Sequence, residues 1–212
     1  MDSMTYTAIV PVKTLASAKS RLSPYLTQSQ RQTVVLDMLD HVLHVLLASR
    51  LLERVSVVSP DARVLEQAAA WGAQALLEEQ QGHNPALHAA ALRERAGGAT
   101  ALLTISADLP LLSISDIRAL VEQSRQHQVV LAPSRDRTGT NAILVRPPLA
   151  LPYLFGPNSL QQYLQAARQW KLSSTIYHSL GLALDIDTVD DLRELEDMRR
   201  EPQGELAAYN LG

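Results

Sequence analysis

An α/β fold, a single domain of three layers (α/β/α) with a mostly parallel central sheet, is predicted by three observations. Short β-rich runs alternate with apolar-periodic helical segments from Tyr6 to Arg199. The run Thr100 to Ser106 (TALLTIS) is apolar enough for a strand covered on both faces. Polar and charged clusters directly follow strand runs, and open α/β sheets bind ligands beyond the carboxyl ends of their strands.

The elements follow in order. Tyr6 to Val12 is the first strand, and the loop KTLASAKSRLSPY leads from it to a long helix over Thr27 to Ala48. Arg54 to Ser59 reads as a strand, Asp61 to Trp71 as an Ala-rich helix and Ala73 to Leu77 as a short strand. A helix over Asn84 to Ala96 is expected to have Asn84 as N-cap and Pro85 in its first position. Thr100 to Ser106 is the expected central strand, followed by a helix over Ser115 to Gln126. Val129 to Ala132 and Ala142 to Val145 are short strands flanking the polar loop PSRDRTGTN, and Asn158 to Trp170 is helical. Thr175 to His178, an extended LALDIDT segment and a helix over Val189 to Arg199 complete the pattern. The domain is drawn at residues 1–200, with a loosely ordered tail at 201–212.

Composition narrows the function. A chain of 212 residues with 46% hydrophobic content can bury a real core, and one domain is the default. A formal charge of -3 gives no general attraction to nucleic acid or to an anionic membrane, so any anion must be held by a local cluster. With no cysteine there is no disulfide and no thiolate zinc site, which suits a cytoplasmic location. Neither a signal peptide nor a membrane span is read. Aromatic residues at 4% are too sparse for a stacking platform for single strands, which points to a small ligand. The nine glycines cannot be arranged into a dinucleotide fingerprint or a P-loop, no serine elbow exists, and the histidines read as surface or core residues.

Four clusters carry chemistry. Lys13, Lys19 and Arg21 fall within nine residues directly after the first strand, a cradle suited to a triphosphate, although alone they also read as a solvated loop. Asp108 follows the most apolar strand, where a carboxylate can hold magnesium or merely cap a turn. In an extended LALDIDT, residues two apart share a face, so Asp185 and Asp187 offer two carboxylates together. Thr188 with Asp191 forms a capping box that accounts for helix initiation but not for Asp185. The turns Gly139-Thr140-Asn141 and Phe155-Gly156-Pro157-Asn158-Ser159 could seat a carboxylate or phosphate, or serve only as turns. Three carboxylates at the ends of two strands, with a basic loop after a third, suit metal-assisted nucleotidyl transfer.

The motifs PVKTLASAKSRL, GHNPALHAA, SADLP, DRTGTNAIL, FGPNSL and LALDIDTVDDL, in this order, resemble the 2-phospholactate or phosphoenolpyruvate guanylyltransferases of coenzyme F-420 biosynthesis, over residues 5 to 198. The resemblance implies a glycosyltransferase-A-like nucleotidyltransferase fold, GTP as donor, a small phosphorylated acid as acceptor, Mg²⁺ as cofactor and pyrophosphate as leaving group. It places Asp108, Asp185 and Asp187 at the metal, and Lys13, Lys19 and Arg21 on the triphosphate as catalytic residues alongside Asp108. Gly82, Asn84 and Ser106 fall near the nucleotide, and Thr140, Gly156 and Ser159 where the acid's carboxylate is received. His83 and Leu160 depart from the family, which often has Leu or Val at the first position and an aromatic at the second. Phosphoenolpyruvate is the expected acceptor, with 2-phospho-L-lactate close behind and 3-phosphoglycerate more distant. A homodimer is compatible with the sequence, which does not specify one. The rivals are a related transferase with a sugar-phosphate acceptor, whose first loop is usually Gly-rich, and a non-catalytic nucleotide-binding domain.

Overall fold

Each β-rich run becomes a strand of one sheet: β1 (Tyr6–Pro11), β2 (Arg54–Ser59), β3 (Gln74–Leu77), β4 (Ala101–Ile105), β5 (Val129–Pro133), β6 (Thr140–Val145) and β7 (Ser174–Ile176). The computed structural model describes residues 4–200, so the tail expected at 201–212 lies outside the described residues. The spatial order is β3-β2-β1-β4-β6-β5-β7, which puts β4 in the middle as its apolar sequence requires. Neighbours pair in parallel except β6, which runs antiparallel to both β4 and β5. The connection from β5 to β6 is too short for a crossover helix, so the chain can only turn back on itself. This reversal brings the start of β6 beside the end of β4, where Ile105 pairs with Ala142.

Seven helices flank the sheet among the described residues: α1 (Gln28–Ala48), α2 (Ala62–Ala70), α3 (His83–Ala96), α4 (Ile114–Ser124), α5 (Ser159–Gln169), α6 (Leu180–Ala183) and α7 (Val189–Arg200). Thr27 with Gln30 and Ser113 with Asp116 form capping boxes that start α1 and α4, and Asp61 caps α2. Strand alternation then sorts the layers. Ala8 and Val10 of β1 face α1, α2 and α4, whereas Ile9 faces α3 on the other side. Val129, Leu131, Ile143 and Val145 meet α5 on that second side. Leu39, Leu43 and Leu46 of α1 are fully buried, each contributing about 1.5–3 kcal/mol by leaving water.

Two expectations need correction. The N-cap of α3 is Gly82, not Asn84, and its φ of 100° is open to glycine and strained for other residues. Pro85 therefore stands in the third helical position, still within the first turn that needs no backbone donor. LALDIDT is not a strand: its first two residues end α6, which the Ser179 hydroxyl caps, and residues 184–188 join no sheet. The alternation there has another cause. Leu184 and Ile186 are buried against Met38 of α1 and Leu195 of α7, which leaves Asp185 and Asp187 on the opposite side.

Candidate active site

The basic loop leaves β1 at Pro11 and is held against the sheet, since Val12 N–H donates to the Val58 carbonyl and Leu15 N–H to the Asp61 carboxylate. Lys19 adopts a left-handed backbone at the start of the turn over residues 20–22, and this turns its side chain inward. Its side chain is only 9% exposed, and the ammonium pairs with Asp108 and, at 2.9 Å, with Asp187. Arg21 lies 3.7 Å from Asp187 with its side chain 73% exposed, and Lys13 is exposed as well. The three cations thus divide: one is buried among carboxylates, and two remain open to a ligand.

Asp108, Asp185 and Asp187 each present an oxygen within 4.8 Å of the others. Asp108 follows β4, and Asp185 and Asp187 follow α6, so the carboxylates do not all stand at strand ends as expected. The two segments are joined by the Ile186 N–H, which donates to the Asp108 carbonyl at 3.3 Å. Burial, with the charge of Asp108 added to it, pushes the Asp185 carboxyl above its usual range. Burial acts the same way on Asp187, but Lys19, Arg21 and Lys13 outweigh it and hold that carboxyl low. Burial likewise pulls Lys19 down, and its pairing with Asp108 and Asp187 more than restores it, leaving the ammonium above the ordinary lysine value. The trio is therefore a hard-oxygen site that draws in positive charge, which fits a divalent cation such as magnesium.

Two clefts meet at this trio. The first, of about 690 Å³, runs from the basic loop and Asp108 past Ser106 to Gly82 and the ends of β2 and β3. The second, of about 820 Å³, is lined by residues 134–136 and 138–141, Gly156, Ser159 and Asp185. Lys13, Arg21, His83, Phe155 and Asp187 line both. His83, read from sequence as a surface or core residue, packs edge-on against Phe155 with ring centroids 5.5 Å apart, and the pair forms a wall between the clefts. Burial and the nearby Lys13 lower the His83 pKa, which favours the neutral ring. Asn84 supports this wall from behind. Its amide donates to the Phe155 carbonyl and accepts from the Phe155 N–H, both at 3.0 Å.

The second cleft collects the residues expected to receive an acid. Thr140 and Ser159 are buried, with the Ser159 hydroxyl donating to that of Thr140 at 3.2 Å, while the Ser159 N–H is already given to the Gly156 carbonyl. Gly156 holds a φ of 135°, which only glycine takes without strain. Asp136 accepts from the Thr138 N–H and from the Ser134 and Thr138 hydroxyls, which brings its carboxyl down to about 2 and shapes the loop along this cleft.

Sequence reasoning missed Asn141. Its amide nitrogen donates to the carbonyls of Leu182 and Ala183 and to Asp185, at 3.1, 3.2 and 3.1 Å. Its own carbonyl accepts from the Ser106 N–H at 2.8 Å. One residue of β6 therefore registers the Asp185 segment against the Ser106-Ala107-Asp108 segment. The only sequence signal was its place beside Thr140 in the loop motif, which says nothing of partners some 40 residues away.

The family model described as "Guanylyl transferase CofC like" matches residues 6–198. A phosphoenolpyruvate guanylyltransferase from Sphaerobacter thermophilus is 44% identical over 192 residues, covering 91% of this chain and 93% of that protein. A 2-phospho-L-lactate guanylyltransferase from Methanothermobacter thermautotrophicus is 35% identical, covering 89% and 82%. Among solved structures, one described as a nucleotide-diphospho-sugar transferase from Desulfovibrio desulfuricans superposes with a TM-score of 0.79 at 16% identity, covering 98% of this chain and 92% of that one. That likeness concerns the fold, which is of the glycosyltransferase-A-like nucleotidyltransferase type.

Proposed function

The chain belongs to the CofC-like guanylyl transferase family, and from that premise we propose that it transfers GMP from GTP to phosphoenolpyruvate, releasing pyrophosphate, as a cytoplasmic step of coenzyme F-420 biosynthesis. The observation that carries this reading is the meeting of two clefts at three carboxylates. GTP occupies the first cleft with its triphosphate toward Lys13, Lys19 and Arg21, and the acid occupies the second. Asp108, Asp185 and Asp187 would hold magnesium at the junction, where it supplies positive charge between donor and acceptor phosphates.

The rest of the work falls to the chain's own groups. The acceptor phosphate is already ionised near neutral pH, its second pKa being about 6, so the nucleophile is its oxygen and no protein base is required. That oxygen forms a bond to the α-phosphorus as the bond to pyrophosphate breaks in line, and the leaving charge falls toward the exposed Lys13 and Arg21. Thr140, Gly156 and Ser159 seat the carboxylate, and the His83–Phe155 wall keeps acid and nucleotide to their own sides.

Phosphoenolpyruvate and 2-phospho-L-lactate carry carboxylate and phosphate on the same carbon, so both offer the same anchors. Such shape differences are worth only about 1–3 kcal/mol. The more similar relative supports phosphoenolpyruvate, and the methanogen relative supports the lactate as a second reading. Purified protein with GTP, Mg²⁺ and a panel of phosphoacids is expected to give a guanylylated product from phosphoenolpyruvate, identified by mass. A product from 2-phospholactate or 3-phosphoglycerate but none from phosphoenolpyruvate would overturn the choice of acceptor.

A further inference from the structure

The transfer chemistry leaves Glu78 unused. It is the first residue beyond β3, and its N–H donates to the Ser59 carbonyl at 3.0 Å, which fixes it at the carboxyl ends of β2 and β3. It is half-buried and lines the nucleotide cleft together with Val58, Pro60, Gly82 and Ala86. Among the described residues only two other carboxylates line that cleft, Asp108 and Asp187, and both are engaged by Lys19. The neighbouring Glu79 is held by Arg93 at 2.6 Å. The Glu78 carboxylate has no hydrogen bond or ion pair among the described residues, and the cations of this cleft all belong to the loop after β1.

We infer that Glu78 reads the guanine base, its carboxylate accepting hydrogen bonds from N1–H and from the 2-amino group. The inference rests on the donor assignment above, which puts the triphosphate at the basic loop and the carboxylate trio. From there the cleft continues over β1 and β2 to β3, and three strand spacings from β4 to β3 amount to roughly 14 Å. A nucleotide laid along it with phosphates at the β4 end carries its base to the β3 end. Guanine presents two adjacent N–H donors on one edge, and an ionised carboxylate accepts both in a charge-assisted, bidentate arrangement. Adenine presents a bare ring nitrogen at that edge, so the carboxylate would lose solvent and gain no partner. Sites built to satisfy such donors reject analogues lacking them far more strongly than apolar shape does. Val58, Pro60 and Ala86 supply apolar surface for the ring.

Calorimetry of the full chain with GTP, ITP and ATP, without acid, tests the inference whichever acceptor is used. ITP keeps N1–H and lacks the 2-amino group, so the expected order of affinity is GTP, then ITP, then ATP. E78A is expected to weaken GTP roughly 100-fold, weaken ITP less, and bring all three nucleotides close together. E78Q keeps the side-chain volume and guards against a folding defect. Its amide can donate, so it is expected to lose GTP affinity and gain affinity for XTP, which carries a carbonyl in place of the 2-amino group. Wild-type protein that does not prefer GTP to ATP would overturn the inference, as would folded E78A and E78Q proteins with the wild-type GTP-to-ATP and GTP-to-ITP ratios. Failure of the transfer reading looks different. In that case GTP binds with its Glu78-dependent selectivity, but no acid releases pyrophosphate.

Discussion

The two halves of the sheet handle their ligands by different means. Around β1, β2, β3 and β4 every strand is parallel, and the charged residues sit in loops beyond the strand ends, with Lys13 and Arg21 exposed. Around β6 the chain runs the other way, so Thr140 and Asn141 enter the site from within the sheet, each 6% exposed and already hydrogen-bonded. The first half supplies charge, which acts over distance and is partly replaceable by a neighbour. The second half supplies position, which depends on each partner. Losing a loop cation should therefore cost less than losing a buried amide that bonds no cation at all.

The largest effect is expected where the halves join. Asp108→Asn removes a charge from the trio at nearly constant volume, and a loss of several kcal/mol in transition-state stabilisation corresponds to a roughly 10³-fold drop in kcat. Near-normal pyrophosphate release by folded protein at saturating magnesium would remove Asp108 from the metal role. Asn141→Ala comes next. It strips one donor from Asp185 and from the Leu182 and Ala183 carbonyls, so about 1–3 kcal/mol of stability should be lost. Groups that orient metal ligands typically matter by about 10–100-fold, and here the fall should be in kcat and in magnesium affinity. Thermal melts with magnesium titrations separate the two losses, and an unchanged magnesium dependence would make Asn141 merely structural.

On the acceptor side, Ser159→Ala should raise the acid's KM about tenfold and leave GTP binding alone, as one hydrogen bond to a charged group, worth about 1.5 kcal/mol, is removed. An unchanged KM would show that the carboxylate sits elsewhere. The smallest effect is expected at the loop. Lys13→Ala should weaken GTP only a few-fold at physiological salt, because an exposed cation contributes about 0.2–1 kcal/mol. The deficit should widen as salt is lowered, since the remaining screening is weaker. If Lys13→Ala proves costlier than Asn141→Ala, the division between charge and position is wrong.

Much of this was legible from local pattern. The strand and helix runs, the central place of TALLTIS and the Thr188–Asp191 capping box all depend on residues close in sequence, and the structure has them. LALDIDT shows the limit of such reading. A period of two records only which side chains are buried, and Leu184 and Ile186 are buried by helices as readily as a strand's residues are by its sheet. Asn84 carried a good N-cap signature as well, yet Phe155 competes for its amide and wins, and Gly82 takes the cap.

By itself, then, the sequence determined which residues bear charge and, LALDIDT apart, which segments form helices or strands, because burial period and capping chemistry are written within a few residues. It could not determine who meets whom. Lys19 reaches Asp108 across 89 positions and Asp187 across 168, and neither meeting leaves a mark in local spacing. Only the assembled sheet, with β6 reversed between β4 and β5, sets the ends of distant segments side by side. That reversal is what gives Asn141 its partners and brings the two clefts together at the three aspartates, because pairing across a sheet is fixed by the whole set of strands and not by any one of them.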